Sequence, residues 1–354
     1  MTELVIKTER LREIMEANGL GGVLLNSQHN FAWLTGGGSN TVNRSIENGS
    51  GTIFIRRDGK RFVLASNIEI ERLVDEELSA HDFEPVSFDW RDEKASPDIA
   101  VTTARRIVPS GDLISDLPLG AGARPAEGMI APCRFSLTDE EIGRYVALGA
   151  DATEVVERAF GTLSPGMSEL EIASAVGGEL ITRGIEPVVL LVGSDERLLR
   201  FRHPVPTSKV WNKSLMVAIC GKRNGLIASV SKVGCAGKIP DELKRRTDAA
   251  VNVLDTAFAA TTVGESGSGL YEAIAAAYLR NGFADEIRNH HQGGAAGYKS
   301  RDWVAHPASR ETVQANQAFA WNPTIAGTKA EQTAIVGPDG TIPVTKADTA
   351  IYQF

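Results

Sequence analysis

The chain has few cysteines, no long apolar run and no surplus of basic residues, and each shortage removes a class of protein. Cys133, Cys220 and Cys235 are the only cysteines among 354 residues; they are widely spaced and form no metal-ligating pattern. A disulfide framework is therefore not expected, whereas a reduced, cytoplasmic protein is. No window approaches the ~20 consecutive apolar residues needed to cross a bilayer, so no membrane partner is expected. The leading segment MTELVIKTERLREIMEANG is charged and has no apolar core of the secretory kind. Lys and Arg number 37 against 45 Asp and Glu, a net charge of −8, which argues against a nucleic-acid partner. What remains is an ordinary globular composition, 42% hydrophobic and 23% charged, in a chain long enough for two domains.

A division falls near residue 132. Before it, apolar periodicity alternates between helix and strand: a helix over 8–18 stopped by Gly19, a buried strand over 22–25, and an apolar strand over 31–34. A hairpin over 51–56 and 61–65 turns at Asp58-Gly59, helices cover 67–77 and 97–107, and a short strand lies at 113–114. Such alternation predicts an α/β domain over 1–132. The second domain, 133–354, opens with Thr138 three residues before Glu141, a capping-box signature for a helix running to Ala159. Pro165-Gly166-Met167-Ser168-Glu169 is a turn followed by a helix capped by Ser168, and helices at 241–260 and 268–282 repeat the arrangement.

Three segments of that second domain hold the residues able to do chemistry: 215–232 (LMVAICGKRNGLIASVSK), 290–298 (HHQGGAAGY) and 319–333 (FAWNPTIAGTKAEQT). The glycines after His291 do not form the strand-Gly-x-Gly-x-x-Gly-helix pattern of nucleotide sites, so they predict close backbone approach to a ligand instead. His290 and His291 are adjacent, but no second cluster stands at a zinc-like spacing. Asn322 ends an apolar run, and a buried amide without a partner costs ~1–3 kcal/mol. It is expected to orient a substrate amide or carbonyl, or to bond to Glu331. Glu331 can bind an ammonium or guanidinium or carry a proton, unless Lys329 ties it into an internal salt bridge. Tyr298 and Trp303 form either an aromatic wall or core. His203 follows Arg197, Arg200 and Arg202. A neutral imidazole is suited to take a proton near neutral pH, and an Arg fork such as that of Arg202 suits a carboxylate.

The order and spacing of these segments resemble the pita-bread family of methionine aminopeptidase, Xaa-Pro aminopeptidase, prolidase and creatinase. The Pro-Gly-x-Ser-Glu phrase at 165–169 is shared with it, and the likeness extends over nearly the whole chain. It implies a creatinase-like N-terminal α/β domain and a C-terminal pita-bread domain. It also implies where metal ligands would stand: at Ile219, Ser229, His291, Asn322 and Glu331. Of these only His291 and Glu331 keep a ligating side chain, and hard divalent ions need several anionic oxygens. No metal or other cofactor is therefore expected. Creatinase, which works without metal, implies His203 as the base, although in many relatives the equivalent side chain only shapes the pocket. It further implies a homodimer in which the loop bearing Arg44 lies over the neighbouring site; plain solvation is the alternative for that loop. The expectation is a metal-independent hydrolase or lyase acting on a C–N or similar bond of a small polar metabolite. His203, His291 and Glu331 would be catalytic, and Asn322, Arg202, Tyr298 and Arg44 would bind substrate. A non-catalytic relative that binds a peptide or small molecule is the alternative, and an Xaa-Pro-type metallo-aminopeptidase the second.

Overall fold

A computed structural model describes residues 2–78, 81–338 and 340–354. The chain separates into two compact units, Met1–Arg134 and Phe135–Phe354.

The first unit is a six-stranded sheet of order β4-β3-β2-β1-β5-β6. Its strands are β1 (Leu20–Ser27), β2 (Asn48–Arg56), β3 (Arg61–Ser66), β4 (Glu84–Phe88), β5 (Asp112–Ser115) and β6 (Ala123–Pro125). Helix α1 (Glu3–Ala17) precedes β1 and ends before Gly19, whose φ of 65° few side chains tolerate. The hairpin stands in register, Gly51 opposite Ala65 and Ile55 opposite Arg61. The apolar segment read as a strand at 31–34 is instead part of helix α2 (Gln28–Leu34), capped by Ser27, whose hydroxyl accepts from the Asn30 N–H. A short apolar run has no period by which a buried helix and a buried strand can be told apart. The expected helix over 67–77 is a single α-turn, Ile70–Arg72, running into a π-turn at Leu73–Glu77. The helix of 97–107 is α3 (Ile99–Ile107).

The second unit repeats one plan: two helices and an antiparallel sheet. Helices α4 (Asp139–Phe160) and α5 (Glu169–Thr182) both begin with complete capping boxes, Thr138 with Glu141 and Ser168 with Glu171. They precede β7 (Glu186–Ser194), the short α6 (Glu196–Arg200), β8 (Ser214–Arg223) and β9 (Leu226–Cys235). In the second half, α7 (Asp241–Ala260) and α8 (Gly267–Arg280) pack against β10 (Gly293–Ala296), β11 (Trp303–Val304), β12 (Ala318–Trp321) and β15 (Gln332–Gly337), and β16 (Gly340–Pro343) extends that sheet at its edge. A small pair, β13 (Thr324–Ile325) and β14 (Thr328–Lys329), intervenes, and β17 (Tyr352–Gln353) pairs with β9. The sheets run β17-β9-β8-β7 and β11-β10-β12-β15-β16.

Ser229 of β9 and Thr333 of β15 join these sheets. The Ser229 N–H donates to Thr333 Oγ1 at 2.9 Å, and that hydroxyl donates back to the Ser229 carbonyl at 3.1 Å. The join brings the middle of β8 and β9 up against the segments around Asn322 and Glu331. Among the described residues, no helix is long and apolar enough to cross a membrane.

Candidate functional site

A cavity of about 130 Å³ opens where the two sheets meet. One wall is apolar, made by Val189 and Leu191 of β7 and Ala218, Ile219 and Cys220 of β8. Opposite stand His203 from the irregular segment after α6, His291 just before β10, and Ser300 and Arg301 between β10 and β11. Asn322 follows the last residue of β12, Lys329 ends β14 and Glu331 precedes β15. Three of the expected site residues of this unit besides Asn322 thus share one pocket: His203, His291 and Glu331.

The charge of the pocket has the sign opposite to a metal cage. Lys329 Nζ lies 3.0 Å from Glu331 Oε2, and Arg301 Nη2 lies 3.5 Å from Oε1 of the same carboxylate. Both Lys329 and Glu331 are buried. Glu331 is therefore not the uncommitted proton carrier that the sequence also allowed; the internal salt bridge has formed, and Arg301 supplements it. With the imidazoles neutral, the lining holds two formal cations and one anion. Asn322 does not bond to Glu331. Its side chain is 3% exposed, and its Oδ1 has no hydrogen-bond partner among the described residues. The Nε of Arg301 is likewise buried and unpartnered.

The histidines form a chain. His290, 9% exposed, meets His203 with Nε2 to Nε2 at 3.0 Å, and its Nδ1 lies 3.4 Å from Thr324 Oγ1. That hydroxyl donates to the Asn322 carbonyl at 3.0 Å, so it has only a lone pair left for His290. His290 then carries its proton on Nδ1, and His203 donates from Nε2, which leaves His203 Nδ1 as the basic nitrogen. Burial, with the Lys329 ammonium adding to it, pulls His203 below the usual imidazole value against the pull of Glu331. Burial and then Lys329 bring His290 to about 2, and burial and then Arg301 bring His291 to about 4. All three rings are neutral at neutral pH.

The residues at the family's ligand positions do not fit a pair of hard metal ions. Ile219 offers no donor, and the Ser229 hydroxyl is engaged with Cys220 Sγ at 3.2 Å. Asn322 is a neutral amide, and the Lys329 ammonium already sits on Glu331. The donor set that can accept an ion is the imidazole trio His203, His290 and His291, one nitrogen of each within 4.8 Å of the others. Imidazoles suit a softer ion such as zinc rather than the hard ions of a carboxylate cage. The zinc reading of the histidine pair lacked further donors; His203, from 87 residues away, adds one nitrogen to the pair.

The remaining expected residues lie elsewhere. Arg202 pairs through Nη2 with Glu286 at 2.6 Å and does not line the cavity, while its Nε is buried with no partner among the described residues. Tyr298 is core: 2% exposed, with its hydroxyl donating to Glu141 at 2.8 Å. Arg44 belongs to the first unit, exposed on the loop between α2 and β2. The glycines after His291 serve close packing between strands. A methyl group at Gly293 would overlap the Ala320 carbonyl, and one at Gly294 the Trp303 carbonyl, so they let β10 fit between β11 and β12. Sequence reasoning missed Arg301, Ser300 and the role of His290; no local pattern marks the first two, whereas the HH pair did mark the third.

Residues 147–343 match the model of metallopeptidase family M24, and residues 7–108 match that of the creatinase/prolidase N-terminal domain. The chain belongs to metallopeptidase family M24, with the two-domain architecture of its creatinase and prolidase members. No curated protein matches it in sequence. Among solved structures it is similar to an Xaa-Pro dipeptidase from Bacillus anthracis, with a TM-score of 0.81 and 17% identity over 99% of this chain and 100% of that one. The prolidase from Pyrococcus horikoshii gives 0.80 and 16% identity over 97% and 98%. The N-terminal domain of the FACT complex subunit SPT16 from Cicer arietinum gives 0.72 and 12% identity over 99% of both. At these identities the likeness establishes the fold.

Proposed function

We propose that this family member is a metal-independent hydrolase or lyase acting on a C–N or similar bond of a small polar metabolite, with His203 as the base. The observation that carries the reading is the replacement of the family's anionic cage by an ammonium–carboxylate pair, Lys329 with Glu331, beside the apolar Ile219. A base must then come from the protein, and His203 is neutral, reaches the cavity and has its tautomer set by His290. In hydrolysis His203 Nδ1 takes a proton from water as the oxygen attacks, then returns it to the departing nitrogen. In a lyase reaction it takes a carbon-bound proton, and no water need be activated. His291 and Asn322 hold the substrate against it, and a homodimer with the Arg44 loop over the neighbouring pocket completes the reading.

Two experiments test it. The purified protein is offered zinc, manganese and cobalt, dialysed and submitted to elemental analysis. Retention of about two ions per chain would restore the Xaa-Pro metallopeptidase reading that family membership favours. His203→Ala is expected to lower turnover of small amide and guanidino metabolites about 10²–10⁴-fold. A second reading, binding without turnover, is favoured by the double ion pairing of Glu331, which leaves one fewer group for proton transfer. Under it His203→Ala changes affinity alone.

A further inference from the structure

The metal-dependent scheme would hold cations with carboxylates at the centre of this pocket; here the protein itself supplies cations there. Lys329 is 5% exposed, and among the described residues its one partner in the pocket is an oxygen of Glu331, although an ammonium has three donors. Arg301 adds a guanidinium whose Nε is buried and unpartnered. A single carboxylate shared by two cations leaves one positive charge uncompensated in a cavity whose other wall is hydrocarbon. Near such a wall that charge is felt more strongly than in water. Buried beside these unfilled donors is an unfilled acceptor, Asn322 Oδ1. Each orphan costs free energy that a bound partner would restore.

We propose that the pocket recognises a small carboxylate that carries an amide N–H or hydroxyl but no ammonium group. The carboxylate neutralises Lys329 and Arg301, and the N–H or O–H donates to Asn322 Oδ1. Val189, Leu191 and Ile219 pack against the carbon chain. A free α-amino terminus, which an aminopeptidase substrate must bring, would place an ammonium among like charges and meet no free carboxylate. The cavity of about 130 Å³ encloses only a handful of non-hydrogen atoms, which suits one short unit. The proposal rests on the preceding reading only in taking this cavity as the functional site, and it requires no turnover.

The test is calorimetry on the full chain with three probes matched in size: N-acetylglycine, glycylglycine and N-acetylglycinamide. They share an amide N–H and differ in charge. N-acetylglycine is expected to bind at least about tenfold tighter than either of the others, a difference of about 1.4 kcal/mol. Lys329→Met is expected to remove that preference, and Asn322→Leu to weaken N-acetylglycine while leaving it ahead of glycylglycine. Equal affinities, a preference for glycylglycine, or no binding of any probe at millimolar concentration would overturn the proposal. The wild-type probe order needs no variant, so a poorly folding Lys329→Met leaves the test intact. His203→Ala removes the base and neither cation. If it retains the probe order while wild type shows no turnover, the catalytic reading has failed and the anion site stands.

Discussion

Two buried polar clusters, one in each unit, contain similar side chains and differ in how completely they are paired. In the first unit Asp116 receives the N–H groups of Asn26 and Ser27, the Ser27 hydroxyl at 2.6 Å and the Asn30 amide at 3.1 Å. Asn30 also donates to Glu127 and accepts from Arg134, which pairs with Glu127 at 2.8 Å. No side-chain N or O of Asp116, Asn30 or Arg134 is buried without a partner. The cluster contains Ser27, His29 and Asp116, the residue types of a nucleophilic triad, yet every group is spent on its neighbours. In the second unit the Asn322 acceptor and the Arg301 donor are buried and unmet, and the cations outnumber the anion. Residue type does not separate these two clusters; the unmet acceptor of Asn322 and donor of Arg301, side by side in a cavity, do.

The largest effect that sharpens this contrast belongs to the closed cluster. Arg134→Met keeps the apolar stem but leaves Glu127 and Asn30 facing a thioether. A loss on the order of 3 kcal/mol is expected, as when one partner of a buried pair is removed. Urea unfolding of the full chain reads it, with hydrogen exchange localising the loss to the first unit. An effect below about 1 kcal/mol would show that the cluster's closure contributes little stability.

Acid comes next and should act on the two clusters in different windows. His290 has its folded value lowered to about 2 by burial, then by Lys329, His291, His203 and Arg202. The unfolded chain binds a proton near pH 6.5, so the unfolded state holds more protons below that point. Stability from His290 is therefore whole above about 6.5 and falls as pH drops, by about 2 kcal/mol at pH 5. Glu127 is pushed up by burial but pulled further down by His29 and Arg134, to about 2. Its contribution is lost only as pH falls below the usual carboxylate value, about 4.5, toward 2. Unfolding free energies measured from pH 7.5 to 4.5 should decline in wild type and decline less in His290→Gln. Parallel curves would mean that His290 is not held neutral.

What could be read in advance follows the range of the interactions. The capping boxes at Thr138 and Ser168 are complete within four residues, and the Lys329–Glu331 pair spans two, so each was visible in the sequence as a possibility. The order of the segments around Ile219, His291 and Asn322 placed them in one fold. The sign of the pocket's charge was not visible, because Arg301 reaches Glu331 only once β10, β12 and β15 are in register. Nor was the bond between His203 and His290, made across 87 residues. The pairing of Arg202 with its distant neighbour Glu286 was hidden for the same reason.

The smallest effect tests the contrast most directly, because it compares two buried asparagines. Asn30 is 0% exposed and joins Asp116, Glu127 and Arg134; Asn322 is 3% exposed and its Oδ1 meets no partner among the described residues. Leu has the branching and the number of side-chain heavy atoms of Asn, with two bulkier methyl groups in place of the oxygen and nitrogen. At Asn30 it would take one hydrogen bond from each of Asp116, Glu127 and Arg134 in a buried network, and at least about 2 kcal/mol should be lost. At Asn322 it removes an acceptor that folding has stripped of water without replacement. The unliganded protein should lose nothing and gain up to about 1 kcal/mol, read as a rise in Tm. A residue that lowers the stability of its own fold needs another reason to be there, and a donor on a bound molecule is the reason this geometry offers. If Asn322→Leu is instead as destabilising as Asn30→Leu, its amide is satisfied in solution, and the distinction between the two clusters fails.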